Sequence, residues 1–217
     1  MTKILVVDDH DLVRMGIVRM LADIDGFHVV GDAKSGEEAV IKARALSPDV
    51  ILMDVKMPGI GGLEATKKLL AAKSSMKIIA VTSCDDDLYP TRLMQAGAVG
   101  YVTKGAEFSE IVTAINKVMR GELYMSSSIA HQLAIKNLSG ASNQASPFEN
   151  LSPRELQTAR LIANGQKVAD IASAFCVSPK TVNSYRYRIF EKLAIHSDVE
   201  LALLAVKYNF RDPESVV

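Results

Sequence analysis

Several short aliphatic, β-branched runs in this chain end in side chains that can do chemistry. Ile4 to Val7 is followed by Asp8-Asp9, Val50 to Met53 by Asp54, Ile78 to Val81 by Thr82-Ser83, and Val99 to Val102 by Thr103-Lys104. In an open parallel sheet, ligands bind in the crevice beyond the carboxyl ends of the strands. If these runs are such strands, Asp8, Asp9, Asp54, the Thr82 hydroxyl and the Lys104 ammonium share that crevice. Crowded carboxylates repel one another unless a cation is present, and hard oxygen donors with an open coordination sphere suit Mg²⁺. Lys104 is expected to pair with a carboxylate or with an incoming anion. A metal and an ammonium to hold equatorial oxygens, with an oxygen nucleophile in line, is the equipment of phosphoryl transfer. Each residue alone has a plainer explanation: Asp8, Asp9 or Asp11 as a helix cap, Thr82 as a strand residue, Lys104 as a solvated side chain. The agreement of all the strand ends favours the shared site.

Such strands need helices between them. Leu12, Val13, Gly16, Ile17, Met20, Leu21 and Ile24 fall at helical steps, as do Ala39, Ala43 and Leu46, then Leu63, Thr66, Leu69 and Leu70, then Ile111, Ile115, Val118 and Met119. His28 to Val30 adds a further strand. The alternation predicts an α/β domain over residues 1–122, with a five-stranded parallel, flavodoxin-like sheet apolar on both faces. Residues 123–147 break the pattern: Ser127 to Leu138 predicts one more helix, and residues 139–147, Ser-Gly-Ala-Ser-Asn-Gln-Ala-Ser-Pro, have the composition of a flexible linker. Residues 148–217 read as all-α. Ser152-Pro153-Arg154-Glu155 is a capping box with proline at the first helical position, and Gly165 ends that helix. Val168 to Phe175, Ser178-Pro179 to about Leu193, and Asp198 to Tyr208 follow. Short helices, a tight turn and a longer helix predict a helix-turn-helix.

Composition narrows the function classes. With 217 residues, 48% apolar and 23% charged, the chain is unlike a disordered segment, a collagen or a coiled-coil rod. Its longest apolar run is six residues, Leu201 to Val206, so no membrane span is expected. Asp8, Asp9 and Asp11 stand where a signal peptide needs apolar residues. Cys84 and Cys176 are far apart and form no CxxC, so neither a disulfide framework nor a zinc module is expected, and a cytoplasmic location is. The 25 basic and 25 acidic residues are unevenly spread: residues 151–192 hold 7 Lys/Arg against 3 Asp/Glu, a surplus of +4. A locally basic back half suggests a second domain with a partner of its own.

Along residues 179–193, Val182, Tyr185, Ile189 and Leu193 predict a buried stripe. Lys180, Asn183, Ser184, Tyr187, Arg188 and Glu191 follow helical steps on the other side. That outer face suits a DNA major groove, with Asn reading a base edge and Lys or Arg neutralising phosphates. An ordinary charged surface helix is the plain alternative; the Val168 to Ala172 helix and the Cys176-Val177 turn before it favour DNA.

These residues also carry a family resemblance. Val6-Val7-Asp8-Asp9-His10, Met53-Asp54-Val55-Lys56-Met57-Pro58-Gly59, Val81-Thr82-Ser83 and Gly100-Tyr101-Val102-Thr103-Lys104 resemble the receiver domain of bacterial two-component response regulators. The resemblance implies that Asp54 is phosphorylated, that Asp8, Asp9, Asp54 and the Lys56 backbone carbonyl hold Mg²⁺, that Thr82 and Lys104 contact the phosphoryl group, and that Tyr101 changes rotamer with Thr82. Many receivers have proline after the lysine; here it is Gly105. Leu151-Ser152-Pro153-Arg154-Glu155, Ile162-Ala163-Asn164-Gly165 and Val177 through Leu193 resemble the LuxR-type helix-turn-helix of the NarL/FixJ class, with Tyr185 where histidine is common. Within it, Gly165-Gln166-Lys167 and Lys180 to Arg188 are similar to the GacA/UvrY/SirA group of global regulators. The resemblance implies base contacts from Asn183, Ser184 and Tyr187, phosphate contacts from Lys167, Lys180, Thr181, Arg188 and Lys192, and a homodimer on a two-fold operator in double-stranded DNA. It also implies a hybrid sensor histidine kinase of BarA/GacS type as donor, and genes for small regulatory RNAs as targets.

Two other readings make different use of the same residues. An aspartyl-nucleophile phosphohydrolase would need a second aspartate two residues after Asp54, where Lys56 stands, so an enzyme is not expected. A receiver whose tail binds protein would lack salt-dependent duplex binding. The run Asp85-Asp86-Asp87 reads as a solvated loop with a helix cap in preference to a second metal site.

Overall fold

The computed structural model describes residues 1–83, 88–138, 146–208 and 210, without the side chains of residues 88, 132 and 135–138. The Asp85-Asp86-Asp87 run and most of the 139–147 stretch lie outside the described residues. The chain falls into two compact units, Met1–Ile135 and Lys136–Val217, each considered by itself below.

The first unit runs β1 (Thr2–Val7), α1 (Asp11–Ala22), β2 (Phe27–Ala33), α2 (Gly36–Leu46), β3 (Val50–Asp54), α3 (Gly61–Ala72), β4 (Lys77–Thr82), α4 (Leu88–Gln95), β5 (Gly100–Thr103), α5 (Phe108–Met119), β6 (Tyr124–Met125) and α6 (Ser127–Leu138). The strands are parallel in the order β2-β1-β3-β4-β5-β6. Side chains alternate across a strand with a period of two, so one strand feeds two cores. Ile4, Val6, Leu52 and Val81 pack with Ile17 and Leu21 of α1 and Ile111, Ile115 and Val118 of α5. Leu5, Val7, Ile51 and Met53 pack with Ala39 and Ala43 of α2 and Ala65 and Leu69 of α3. Helices on both faces explain why these strands read as unbroken apolar runs.

The sheet has six strands, not the five expected. The sixth lies within the stretch read as a linker and has only two residues, too few to carry a periodicity. Tertiary contacts make it a strand. Tyr124 N–H donates to Val99 O at 3.0 Å and Ser126 N–H to Tyr101 O at 2.9 Å. The Tyr124 hydroxyl donates to Glu110 Oε1 at 3.0 Å, and the Ser126 hydroxyl bonds the same oxygen. β6 thereby covers the edge that β5 would expose.

The second unit opens with a 3₁₀ turn at Pro147–Asn150, followed by α7 (Pro153–Ala163), α8 (Val168–Ala174), α9 (Pro179–Leu193) and α10 (Asp198–Lys207). The capping box is formed: Ser152 Oγ accepts from Glu155 N–H at 3.3 Å, and Ser152 N–H donates to Glu155 Oε2 at 2.8 Å. Ser178 caps α9 by accepting from Thr181 N–H at 3.2 Å. Phe148 and Phe210, both buried, stack at 4.1 Å between ring centroids and bring the two ends of the unit together. Val182, Ile189 and Leu193 are buried, but Tyr185 is only half-buried. At about 100° per residue its step of three from Val182 falls some 60° short of a full turn, at the margin of the stripe.

Candidate functional site

The pocket is built where β1, β3 and β5 end side by side. Asp8 follows β1 and is 2% exposed; Asp54 closes β3 and is 1% exposed. Lys104, just after β5, places its ammonium 2.8 Å from Asp8 Oδ2 and 2.8 Å from Asp54 Oδ2. Its backbone N–H donates to Thr82 O at 2.7 Å, which fastens this end of β5 to β4. The other two oxygens are turned to the backbone: Asp8 Oδ1 accepts from His10 N–H at 2.8 Å, and Asp54 Oδ1 from Lys56 N–H at 3.2 Å. Burial pushes the Asp54 carboxyl up to about 6, against the opposing attraction of Lys104. Burial alone would lower the Lys104 ammonium, but Asp54 and Asp8 more than offset it and hold it above the ordinary lysine value.

Asp9 completes the acidic set. Its Oδ1 is buried and has no hydrogen-bond partner. One ligand atom each from Asp8, Asp9, His10 and Asp54 lies within 4.8 Å of the others. An orphaned buried oxygen among carboxylates is a poor arrangement without a cation and a suitable one with it, so these residues fit Mg²⁺. Thr82 is buried at the end of β4, and its hydroxyl makes a long bond of 3.4 Å to Ser83 O. Tyr101 is 1% exposed and lies in β5 between Ala80 and Met125.

Sequence reasoning missed two residues here. Arg14 is buried, donates to Asp8 O at 2.8 Å and to Asp32 Oδ2 at 2.7 Å, and bonds Asp11. It thereby ties α1 and β2 to the backbone behind the pocket. Its spacing of three from Asp11 was the available signal. The other is His10, whose Nδ1 stands 3.0 Å from Asp9 Oδ1 and 3.3 Å from Asp8 Oδ1; its position directly after Asp8-Asp9 was visible.

In the second unit, α9 presents Lys180, Ser184, Tyr187 and Arg188 to solvent, with Tyr187 70% exposed, while Thr181 and Asn183 are half-buried. Lys167 is exposed at the start of α8. Arg186 forms a bidentate pair with Asp198 at 2.7 and 2.8 Å and so fixes α9 against the start of α10. Lys192 is placed differently from the rest of the expected DNA set. Its ammonium is 2.6 Å from Oε2 of the buried Glu155 and 3.4 Å from Asn150 O. These bonds hold the Glu155 carboxyl below the ordinary range although burial opposes it. Charge counting along the helix could not show that α7 brings a buried acid to this lysine.

An α/β unit with an acidic pocket at its strand ends, joined to a helix-turn-helix unit, defines a two-part signal-responsive regulator. Residues 4–116 match the response regulator receiver domain and residues 149–205 the luxR family of bacterial regulatory proteins. The chain belongs to the LuxR-type response regulators of two-component systems, which are DNA-binding transcription regulators and not enzymes. It is 62% identical to the response regulator GacA of Pseudomonas syringae pv. syringae (strain B728a), over 98% of this chain and 99% of that protein. It is 49% identical to the response regulator UvrY of Escherichia coli (strain K12), over 100% and 99%. The solved RcsB response regulator of Salmonella typhimurium shares the fold, with a TM-score of 0.69 at 24% identity over 95% of this chain and 98% of that one. The expected likeness to the GacA/UvrY group is therefore shown. No described helix is long and apolar enough to cross a membrane.

Proposed function

We propose that this regulator is switched by phosphorylation of Asp54 and then binds a two-fold DNA site as a homodimer. The observation that carries the first half is the Lys104 ammonium shared at 2.8 Å between Asp8 and Asp54. It singles out Asp54, a buried strand-end carboxylate already facing a cation, as the place where further negative charge is tolerated. A histidine kinase supplies the phosphoryl group. An Asp54 oxygen attacks phosphorus, a P–O bond forms, the P–N bond to the donor histidine breaks, and its electron pair returns to the imidazole nitrogen. Mg²⁺, held by Asp8, Asp9, Asp54 and the Lys56 carbonyl, would neutralise phosphoryl oxygens. Lys104 and the Thr82 hydroxyl follow the new charge, and Tyr101 repacks with Thr82.

Residues 1–122 form the receiver, 123–147 the connection and 148–217 the DNA-binding domain. Asn183, Ser184 and Tyr187 face bases; Lys167, Lys180, Thr181 and Arg188 face phosphates. Exposed Val199, Leu203 and Val206 on α10, 56–69% accessible, offer a dimer contact. Likeness to GacA and UvrY supports a BarA/GacS-type hybrid kinase as donor, genes for small regulatory RNAs as targets, and action in the cytoplasm. The test is intact-mass measurement after acetyl phosphate and Mg²⁺, beside a gel shift. A gain of about 80 Da that Asp54→Asn abolishes is expected, because the swap removes the acceptor and little else. A phosphate found on Asp8 or Asp9, or undiminished transfer in EDTA, overturns the assignment.

A further inference from the structure

The acidic pocket contains one donor that is not an oxygen. His10 Nδ1 stands 3.0 Å from Asp9 Oδ1 and 3.3 Å from Asp8 Oδ1. Yet Asp9 Oδ1 has no hydrogen-bond partner, so the ring N–H does not run to it. Two polar atoms this close without a hydrogen bond are arranged like neighbours around a third atom. In an octahedral shell with donors about 2.1 Å from the ion, adjacent donors stand about 3.0 Å apart. Asp8, Asp9, His10 and Asp54 each contribute one ligand atom to a group spanning no more than 4.8 Å. Lys104 occupies Oδ2 of Asp8 and of Asp54 and so leaves their Oδ1 atoms for that side.

We propose that His10 is a nitrogen ligand of this pocket, so that the site takes a divalent transition ion such as Mn²⁺ in preference to Mg²⁺. The inference rests on the reading of the pocket as a cation site. Mg²⁺ prefers an all-oxygen shell and gains little from an imidazole, whereas affinity of mixed nitrogen and oxygen sites for divalent ions rises along the transition series. The ligand is also easy to remove cleanly. His10 is the residue before α1, its side chain is 64% exposed and makes no capping hydrogen bond, and its bond to Asp8 runs through the backbone.

The full chain is titrated with Mn²⁺ while free ion is followed by electron paramagnetic resonance, and with Mg²⁺ by competition. The parent holds Mn²⁺ more tightly than Mg²⁺. His10→Ala loses at least about tenfold in Mn²⁺ affinity, the loss caused even by removing an outer partner of a metal ligand, and little in Mg²⁺ affinity. Bound Mn²⁺ shows nitrogen modulation in its electron spin echo in the parent and none in His10→Ala. Equal Mn²⁺ affinity in parent and His10→Ala, or bound Mn²⁺ without that modulation, overturns the proposal. Asp9→Ala separates the two readings. If it loses both ions while His10→Ala loses neither, the cation pocket stands and the His10 ligand falls. If it binds both ions as the parent does, the pocket itself is misassigned and the proposal falls with it.

Discussion

The Lys104 ammonium lies 2.8 Å from Asp54 Oδ2, and still Asp54 titrates near 6, above its ordinary value of 3.8. Burial therefore outweighs the ion pair, and holding Asp54 ionised costs the folded state. The folded value is raised, so stability increases as pH falls from about 6 toward 3.8, where the unfolded chain takes up its proton as well. The gain is on the order of 3 kcal/mol. Asp54→Asn removes the cost at neutral pH. In EDTA, melts across pH should show the variant more stable than the parent above pH 6 and the difference closing toward acid. A variant that melts below the parent at neutral pH contradicts this electrostatic account.

Gly62 controls how closely α3 approaches the end of β3. Its N–H donates to Val55 O at 3.1 Å, and a Cβ there would lie 2.1 Å from Asp54 O and 2.8 Å from Val55 Cα. Both obstacles are backbone, which cannot swing aside. Gly62→Ala should cost about 1–3 kcal/mol or more through overpacking and displace Asp54. Denaturant melts read the first effect and acetyl phosphate labelling the second. Parent-like stability in Gly62→Ala would show that the helix retreats freely.

The pocket was legible because its members sit at strand ends, where a short apolar run and the residue after it are local signals. Asp8, Asp54, Thr82 and Lys104 could be placed together before any coordinates. β6 could not, since Tyr124 and Met125 become a strand only through Val99, Tyr101 and Glu110, all distant in sequence. Lys192 failed for a similar reason: its face of α9 follows from helical spacing, but its partner Glu155 comes from another helix. Arg14 was hidden because a buried arginine is indistinguishable in sequence from an exposed one.

Lys192 supplies a direct contrast with Lys180. Removing the Lys192 ammonium leaves the Glu155 carboxylate, 4% exposed, short of one charged partner. The expected cost is about 1–3 kcal/mol, and in a unit of this size each kcal/mol shifts the thermal midpoint by about 4–8 °C. Lys192→Met should therefore lower the melting temperature of the helical unit while the salt slope of DNA binding stays the same. A reduced slope at unchanged stability would return Lys192 to the phosphate contacts.

The exposed face of α9 should separate into two kinds of mutant. Lys180 and Arg188 are exposed and are proposed at phosphates. Losing one such contact should weaken all duplexes alike and lower the salt slope by about 1. Asn183 and Tyr187 stand four residues apart on that face, one helical turn, and can reach neighbouring base pairs. Losing a base contact should cost about 1–3 kcal/mol on the preferred site and much less on random DNA. None of these side chains is buried, so melting temperatures should move little in any of the variants, unlike Lys192→Met. Gel shifts on specific and scrambled duplexes at two salt concentrations make the comparison. If Asn183→Ala and Tyr187→Ala weaken both duplexes equally, they do not read sequence. If every variant binds like the parent, α9 does not face the DNA.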